Sequence, residues 1–591
     1  MRPDDTPRAS TPTRSPAEVL GSIEIASGSS VPGDRGSGEP GRLRLQDWSP
    51  IVGSLEWVLA SRYWETEGLA GFIRSEVPYV INNTPWVAEG AARVVLAASK
   101  SLPADSPVRI LELGAGIGLF ASHFLRSFRK LCQEQGRDDY ERTTYFVTDG
   151  SRRTARQWGE HGLFEEHGDH VVLAQCDANT PSMLRPIGED AAPFELDPGS
   201  MHVVFANYVL DTLPATILKR DPALPDGFAE IRSRVYVSEA HRDEIRRRFG
   251  IDWDDLEGLA TRACADEGDA QDALLPILPY LEFEVAFGER AHADPLPKEI
   301  LDVQADRVVW NHGALEAMRR ILSLLTTDGC LLIRDLGPAT DERIGDLSYV
   351  ARFGPSLAFT VAFPILDRTV AEIGWASISP SGDEERAIHT RLITRSNSSI
   401  TTFRDWFADD LHERADALAE EATRRINAGR YADALEAYRN ALELCPDDWH
   451  LLANAGQFLT QQLLRPQEAM ELLSRALEIQ PNFSAHLWNS FGNCHFVLGD
   501  PERAHACYLR AQEIHGADAQ TETNLAYSWT ALGRYEEALE AVAAGLYFDR
   551  DARFESALLT KQKEVLALLQ RRREEEDQRA DRRHEGFSGA R

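Results

Sequence analysis

The chain has 591 residues and a formal net charge of −31. That is more chain than one hydrophobic core organises, so at least two domains are expected. The negative balance opposes a phosphate backbone, which argues against nucleic acid as a partner. With no apolar run long enough to cross a bilayer, no membrane segment is expected.

The first residues lack the apolar stretch of a secretory signal. The seven cysteines at 132, 176, 264, 330, 445, 494 and 507 form no Cys-x-x-Cys pair, so neither a metal site nor a disulfide framework is expected. Together these features read as a cytoplasmic protein with reduced thiols.

Residues 1–42 are rich in Ser, Pro, Gly and charge, too polar to offset the cost of ordering, and read as a disordered tail. From Val108, apolar runs alternate with helical patterns: Val108–Leu113 then Leu119–Phe128, Thr143–Val147 then Arg152–Gly159, followed by Val171–Ala174 and Met201–Ala206. Such alternation specifies a parallel sheet covered by helices. A region at about 215–297, with strand-like Phe228–Val237 and Tyr280–Phe287 around an acidic helical stretch, reads as an insertion that shapes a substrate pocket. The sheet resumes with a helix over Ala314–Leu325 and the run Cys330–Ile333. Ala376–Ile378 and Ile388–Ile393 then flank the turn at Pro380–Asp383 as a closing hairpin. The sheet domain is thus expected over 43–396, with a linker at 397–414.

Beyond the linker a repeat begins. Ala434, Ala469, Ala504 and Ala538 are spaced by 35, 35 and 34 residues, and Ala441, Ala476, Ala511 and Gly545 keep the same intervals. Gly429, Gly499 and Gly533 mark turns, while the second unit is irregular at Arg465 and Pro466. The period and the small residues where paired helices touch resemble the tetratricopeptide repeat family. Four units are expected over about 415–570, with a charged tail at 571–591. An array of this kind implies a protein or peptide partner.

The chemistry is carried by Gly114, Gly116 and Gly118, which follow a strand and open a helix, so that backbone N–H groups face space no side chain fills. A dinucleotide fingerprint needs its third glycine one position later, where Leu119 stands. Glu112 at the strand end suits a ligand ammonium, and Asp149 after the next strand suits ribose hydroxyls. S-adenosylmethionine (SAM) fits this set better than a dinucleotide. The alternative is a tight turn with no ligand.

The blocks Ile110–Phe120, Tyr145–Ser151, Phe205–Pro214, Asp328–Ile333 and Phe363–Leu366, in that order, resemble the MidA-type methyltransferases over about Tyr79 to Arg395. That family is SAM-dependent and includes a mitochondrial protein-arginine methyltransferase that assists complex I assembly. The resemblance implies an α/β Rossmann-like class I methyltransferase domain, a mostly parallel sheet with a closing antiparallel hairpin, followed here by an all-α tetratricopeptide solenoid. It also implies cofactor contacts at Gly114, Gly116, Gly118, Asp149 and Asp177, and catalytic positions at Asn207 and Asp211. The chain departs from the family by carrying Tyr208 where a glutamate is usual.

A carboxylate pair would suit a guanidinium acceptor. Asp211 is one candidate, against a structural reading as a turn aspartate. Asp335 is a second, against a reading as a solvated loop acid. Three functions stay open: a methyltransferase acting on a protein recruited by the repeats, a catalytically silent scaffold, and a small-molecule methyltransferase.

Overall fold

A computed structural model describes residues 41–73, 85–103, 105–188, 191–291, 295–345, 350–353, 356–386, 388–549 and 552–588. The tail read as disordered lies outside these residues up to position 40, as does Tyr79. Two compact units divide at Asp410 and Leu411.

The strands of the first unit, in chain order, are β1 (Arg42–Pro50), β2 (Val108–Leu113), β3 (Thr143–Asp149), β4 (Val171–Gln175), β5 (Met183–Pro186), β6 (Phe194–Glu195) and β7 (Met201–Asn207). They continue with β8 (Thr216–Arg220), β9 (Phe228–Ser238), β10 (Leu281–Glu289), β11 (Arg307–Trp310), β12 (Leu325–Leu336), β13 (Val350–Phe353), β14 (Ser356–Phe359), β15 (Ala376–Ile378) and β16 (Ile388–Thr394). Nine of them form one sheet in the order β15-β16-β12-β7-β2-β3-β4-β5-β6. β12, β7, β2, β3 and β4 run parallel, while β16 is antiparallel to both β12 and β15. This is the class I methyltransferase order, with the expected hairpin inserting its second strand beside β12. β2 and β7 are buried on both faces along most of their length, which explains why they read as continuous apolar runs rather than alternating ones.

The insertion is larger than the sequence pattern indicated. β9 lies in a second sheet in which β1 and β8 pair along one edge and β10 along the other, with β11 beside β8. An eleven-residue strand buried at most positions needs partners for both rows of its backbone groups. It finds them in β1, ahead of the main sheet in sequence, and β8 along one edge and in β10 along the other, while β11, beyond residue 297, extends the sheet from β8. Helices over Arg242–Phe249, Leu256–Cys264 and Gly268–Leu274 pack their own core against Leu55 and Leu59.

The segment at 397–414 is not a linker. Ile400–Phe407 is a helix whose Phe403 and Phe407 are fully buried, and Trp406 Nε1 donates to the Trp86 carbonyl at 3.2 Å. Apolar residues at 400, 403, 406 and 407 give it the face that docks.

The second unit pairs helices Leu411–Asn427 with Tyr431–Leu444, Trp449–Gln461 with Pro466–Ile479, Ala485–Val497 with Pro501–His515, and Ala519–Ala531 with Tyr535–Phe548; Glu555–Ser588 follows. Thus the first repeat helix starts at Leu411 rather than 415, and the charged end continues a helix rather than forming a separate tail. Ala434, Ala469, Ala504 and Ala538 are fully buried, as the period requires. Among the described residues no helix is long and apolar enough to cross a membrane.

Gly429, Gly499 and Gly533 adopt φ of 72°, 83° and 73°. In the irregular repeat the same position is Leu464, held at φ 54° with its side chain 73% exposed. A bulky residue pays the left-handed penalty there without packing in return. Leu464→Gly is expected to raise the stability of the helical unit by up to about 1 kcal/mol, the strain relieved less the entropy glycine loses. A urea midpoint at or below that of the parent would refute it.

Candidate active site

Order reverses between β2 and β7, since the chain runs outward through β3 and β4 on one side and through β12 on the other. Open α/β sheets bind ligands at such a switch point, outside the carboxyl ends of the strands. The glycine loop after β2 and the segment after β7 both end there. Gly114, Gly116 and Gly118 all have positive φ, at 62°, 56° and 77°, and Gly118 is the N-cap of helix Leu119–Gln135. A methyl added at Gly114 would stand 2.7 Å from Val209 Cγ2, and one at Gly116 would stand 3.1 Å from Phe72 Cζ. The loop therefore comes close to the β7 segment on one side and to an aromatic ring on the other, with no room for side chains.

Asp149 fixes the loop. Its Oδ2 accepts from the Gly116 N–H at 3.0 Å and its Oδ1 from the Ser151 N–H at 2.9 Å, and each oxygen keeps a lone pair for a further donor. Burial raises its carboxyl to about 6, against the pull of those two N–H groups. Trp158 holds the loop from the other face, donating from Nε1 to the Gly116 carbonyl at 2.9 Å.

Glu112 is buried beneath the loop, accepting from the Tyr145 hydroxyl at 2.9 Å. Burial pushes it up to about 8, with the charge of Asp149 adding to the rise. Asp177 is exposed at the end of β4, its Oδ1 taking the Asn179 backbone and side-chain amides in a turn. The Cys176 N–H donates to the Asp149 carbonyl at 2.9 Å, which aligns the two strand ends.

At the end of β7, Asn207 is 8% exposed and Asp211 4% exposed. Among the described residues neither amide atom of Asn207 has a hydrogen-bond partner, nor has Oδ1 of Asp211 or the hydroxyl of Tyr208, although all are buried. Unpaired buried polar atoms cost roughly 1–3 kcal/mol each, so four on one turn mark a place built for something else to bind. Tyr208 itself sits at φ 51°. Its N–H donates to the Arg334 carbonyl at 2.8 Å, and strain of this kind collects at functional loops.

Asp335 is not a solvated loop acid. It is fully buried at the end of β12, where its Oδ2 accepts from the N–H groups of Leu210 at 3.0 Å and Asp211 at 3.3 Å and its Oδ1 from that of Leu336 at 2.8 Å. Burial raises Asp335 well above the usual carboxylate range, and the charge of Asp211 raises it further; burial likewise lifts Asp211 to about 7. Tyr145, Trp158 and Phe72 went unnoticed in the sequence because each acts across the fold. A cavity of about 420 Å³ lined by Leu322, Leu325, Ile373 and Trp375 lies at the amino end of β12, the far end of that strand from Asp335 and from this chemistry.

The donor set suits SAM: a glycine loop at a helix N-terminus, a carboxylate at the end of the neighbouring strand, and unpaired polar groups beside them. Raised carboxyls also carry a stability signature. Glu112 favours its protonated form when folded, so its contribution is fully present below the unfolded value and is lost as pH rises through about 8. Glu112→Gln keeps an acceptor for Tyr145 and removes that loss. The variant is expected to melt higher than the parent at pH 8.5, by on the order of 2 kcal/mol of stability, with the gap closing toward pH 5. A gap that widens toward acid would contradict this.

Comparisons with known proteins give the following. A tetratricopeptide repeat family model matches residues 420–482. The BBSome complex member BBS4 of Bos taurus is 26% identical over 135 residues, which is 23% of this chain and 25% of that protein, so the chain spans about a quarter of that relative's length. Among solved structures, a candidate methyl transferase from Burkholderia thailandensis bound to S-adenosyl-homocysteine is 14% identical, with 60% of this chain and 88% of that one covered at a TM-score of 0.38. The MamA protein is 17% identical over 29% of this chain and 95% of its own, at a TM-score of 0.22. By its own strand order the chain has an α/β unit with the class I methyltransferase fold, and this is joined to a helical unit that matches the tetratricopeptide repeat family over residues 420–482.

Proposed function

We propose that the α/β unit is a SAM-dependent methyltransferase and that the repeats recruit the protein it methylates. The observation that carries this reading is the coincidence, at one switch point, of the glycine loop with the unpaired buried groups of Asn207 and Asp211. When bound, SAM supplies a methyl group on a positively charged sulfur, already a good electrophile. What remains for the protein is to hold the ligand, exclude water and align an acceptor.

The roles divide by position. The N–H groups of the glycine loop and the start of helix Leu119–Gln135 receive the ligand's carboxylate end. The spare lone pairs of Asp149 receive the ribose hydroxyls. Phe72 covers the loop at Gly116 and limits access of water. Asn207 offers one donor and one acceptor to the incoming group, and Asp211 offers a carboxylate oxygen. Asp335 supplies the second carboxylate that Tyr208 does not.

Titration of the full chain with S-adenosyl-homocysteine (SAH) is expected to give one site per chain. Asp149→Ala should weaken binding about 100-fold, the loss of two charge-assisted hydrogen bonds. Absence of binding by folded protein would sink the proposal. Methyl-labelled SAM added to a lysate should then label protein bands that Asp211→Asn fails to label. Label confined to small molecules would replace the protein acceptor with a metabolite, and SAH binding without any transfer would leave a scaffold.

A further inference from the structure

We infer that Asp211 and Asp335 hold one proton between them and trade it against the charge on the ligand's sulfur, so that the pair accepts the proton an acceptor loses on methylation. This rests on the cofactor reading above and adds a proton path to it.

The geometry leaves little alternative. Both carboxyls are buried at the carboxyl ends of the adjacent parallel strands β7 and β12, and the Asp211 N–H is bonded directly to Asp335 Oδ2 at 3.3 Å. Two carboxyls buried on neighbouring strand ends and linked through that backbone N–H do not both ionise cheaply out of water. The adjacent cation, Arg334, bonds to neither acid: its Nη2 donates to Asp410 at 2.9 Å and its Nη1 to Thr390 at 3.4 Å, and among the described residues its Nε has no partner. Tyr208 is the other titratable neighbour, with its phenol raised far above its ordinary range by burial. Of the elements packed against residues 210–212, β14 brings apolar Leu357, Ala358 and Phe359. Helix His312–Leu324 meets the following turn through Gly313 against Pro214, and β12 brings Arg334 and Asp335.

Both Asp335 oxygens are engaged by backbone N–H groups, whereas Asp211 Oδ1 has no partner among the described residues. That oxygen is where a proton can arrive. As the acceptor's lone pair closes on the methyl carbon, the old S–C bond breaks and its electron pair stays on sulfur. Positive charge then passes to the acceptor, and Asp211 Oδ1 takes the acceptor's proton. The pair stands ionised while sulfur is positive and singly protonated once sulfur is neutral, so no net charge accumulates in the buried site.

SAM and SAH differ by one methyl group and one charge at that sulfur. Glu112 and Asp149 meet the parts the two ligands share, so their contributions cancel in a comparison of the two. Calorimetric titration of the full chain near pH 7, in phosphate and in Tris, counts protons from the difference in buffer ionisation heats. SAM is expected to release on the order of one-half proton more than SAH, a difference that Asp211→Asn and Asp335→Asn should each abolish. Equal proton counts with both ligands bound, or a difference that survives in both variants, would overturn the proposal while leaving the cofactor reading intact. If neither ligand binds, both readings fall.

Discussion

Between β2 and β7 two parallel strands lie side by side while the chain departs from them in opposite directions. Right-handed crossovers then carry the connections to opposite faces of the sheet, and a crevice is left above the strand ends. The rest of the unit works within this constraint. The glycines let backbone approach the crevice, Val209 reaches across to Gly114, and Asp335 rises from the next strand to fasten the turn at Leu210 and Asp211. Each of these contacts joins strand ends that only the sheet brings together.

Polar groups around this crevice differ in how far the fold itself already satisfies them. Asp149 and Asp335 spend their oxygens on backbone N–H groups and so fix loops. Asn207, Tyr208 and Asp211 keep polar atoms unpaired among the described residues, at a cost the fold must offset elsewhere. The pattern is what separates a loop that is merely ordered from one prepared for a ligand. Tyr208 belongs to both groups, since its strained backbone is pinned by Arg334 while its hydroxyl is left without a partner.

What could be read in the sequence was local. The spacing of Gly114, Gly116 and Gly118 excludes the dinucleotide fingerprint within one helical turn, and Asp149 follows the next strand directly, so the cofactor side was legible. The repeat period likewise located the buried alanines of four helix pairs. Asp335 was legible as a candidate but not as a buried one, because its partner Asp211 lies 124 residues away and an aspartate after an apolar run looks the same whether solvated or buried. The second sheet escaped for a similar reason: β1 pairs with β9 across nearly two hundred residues, and nothing in either segment names the other. The docked helix at Ile400–Phe407 carries an apolar face that becomes readable only once its target Trp86 is known.

The ion pair between Arg334 and Asp410 has a practical side. Both groups are almost wholly buried, at 2% and 5% side-chain exposure, and Asp410 is the last residue of its unit, immediately before the first repeat helix. Removing one member of such a pair strands the other in a medium that solvates it poorly, at a cost of about 3–5 kcal/mol. Arg334 also carries the carbonyl on which Tyr208 rests. The place where the chain looks divisible by sequence, ahead of 397, is therefore the wrong place to cut: an independent α/β unit must keep the docked helix and extend through Asp410.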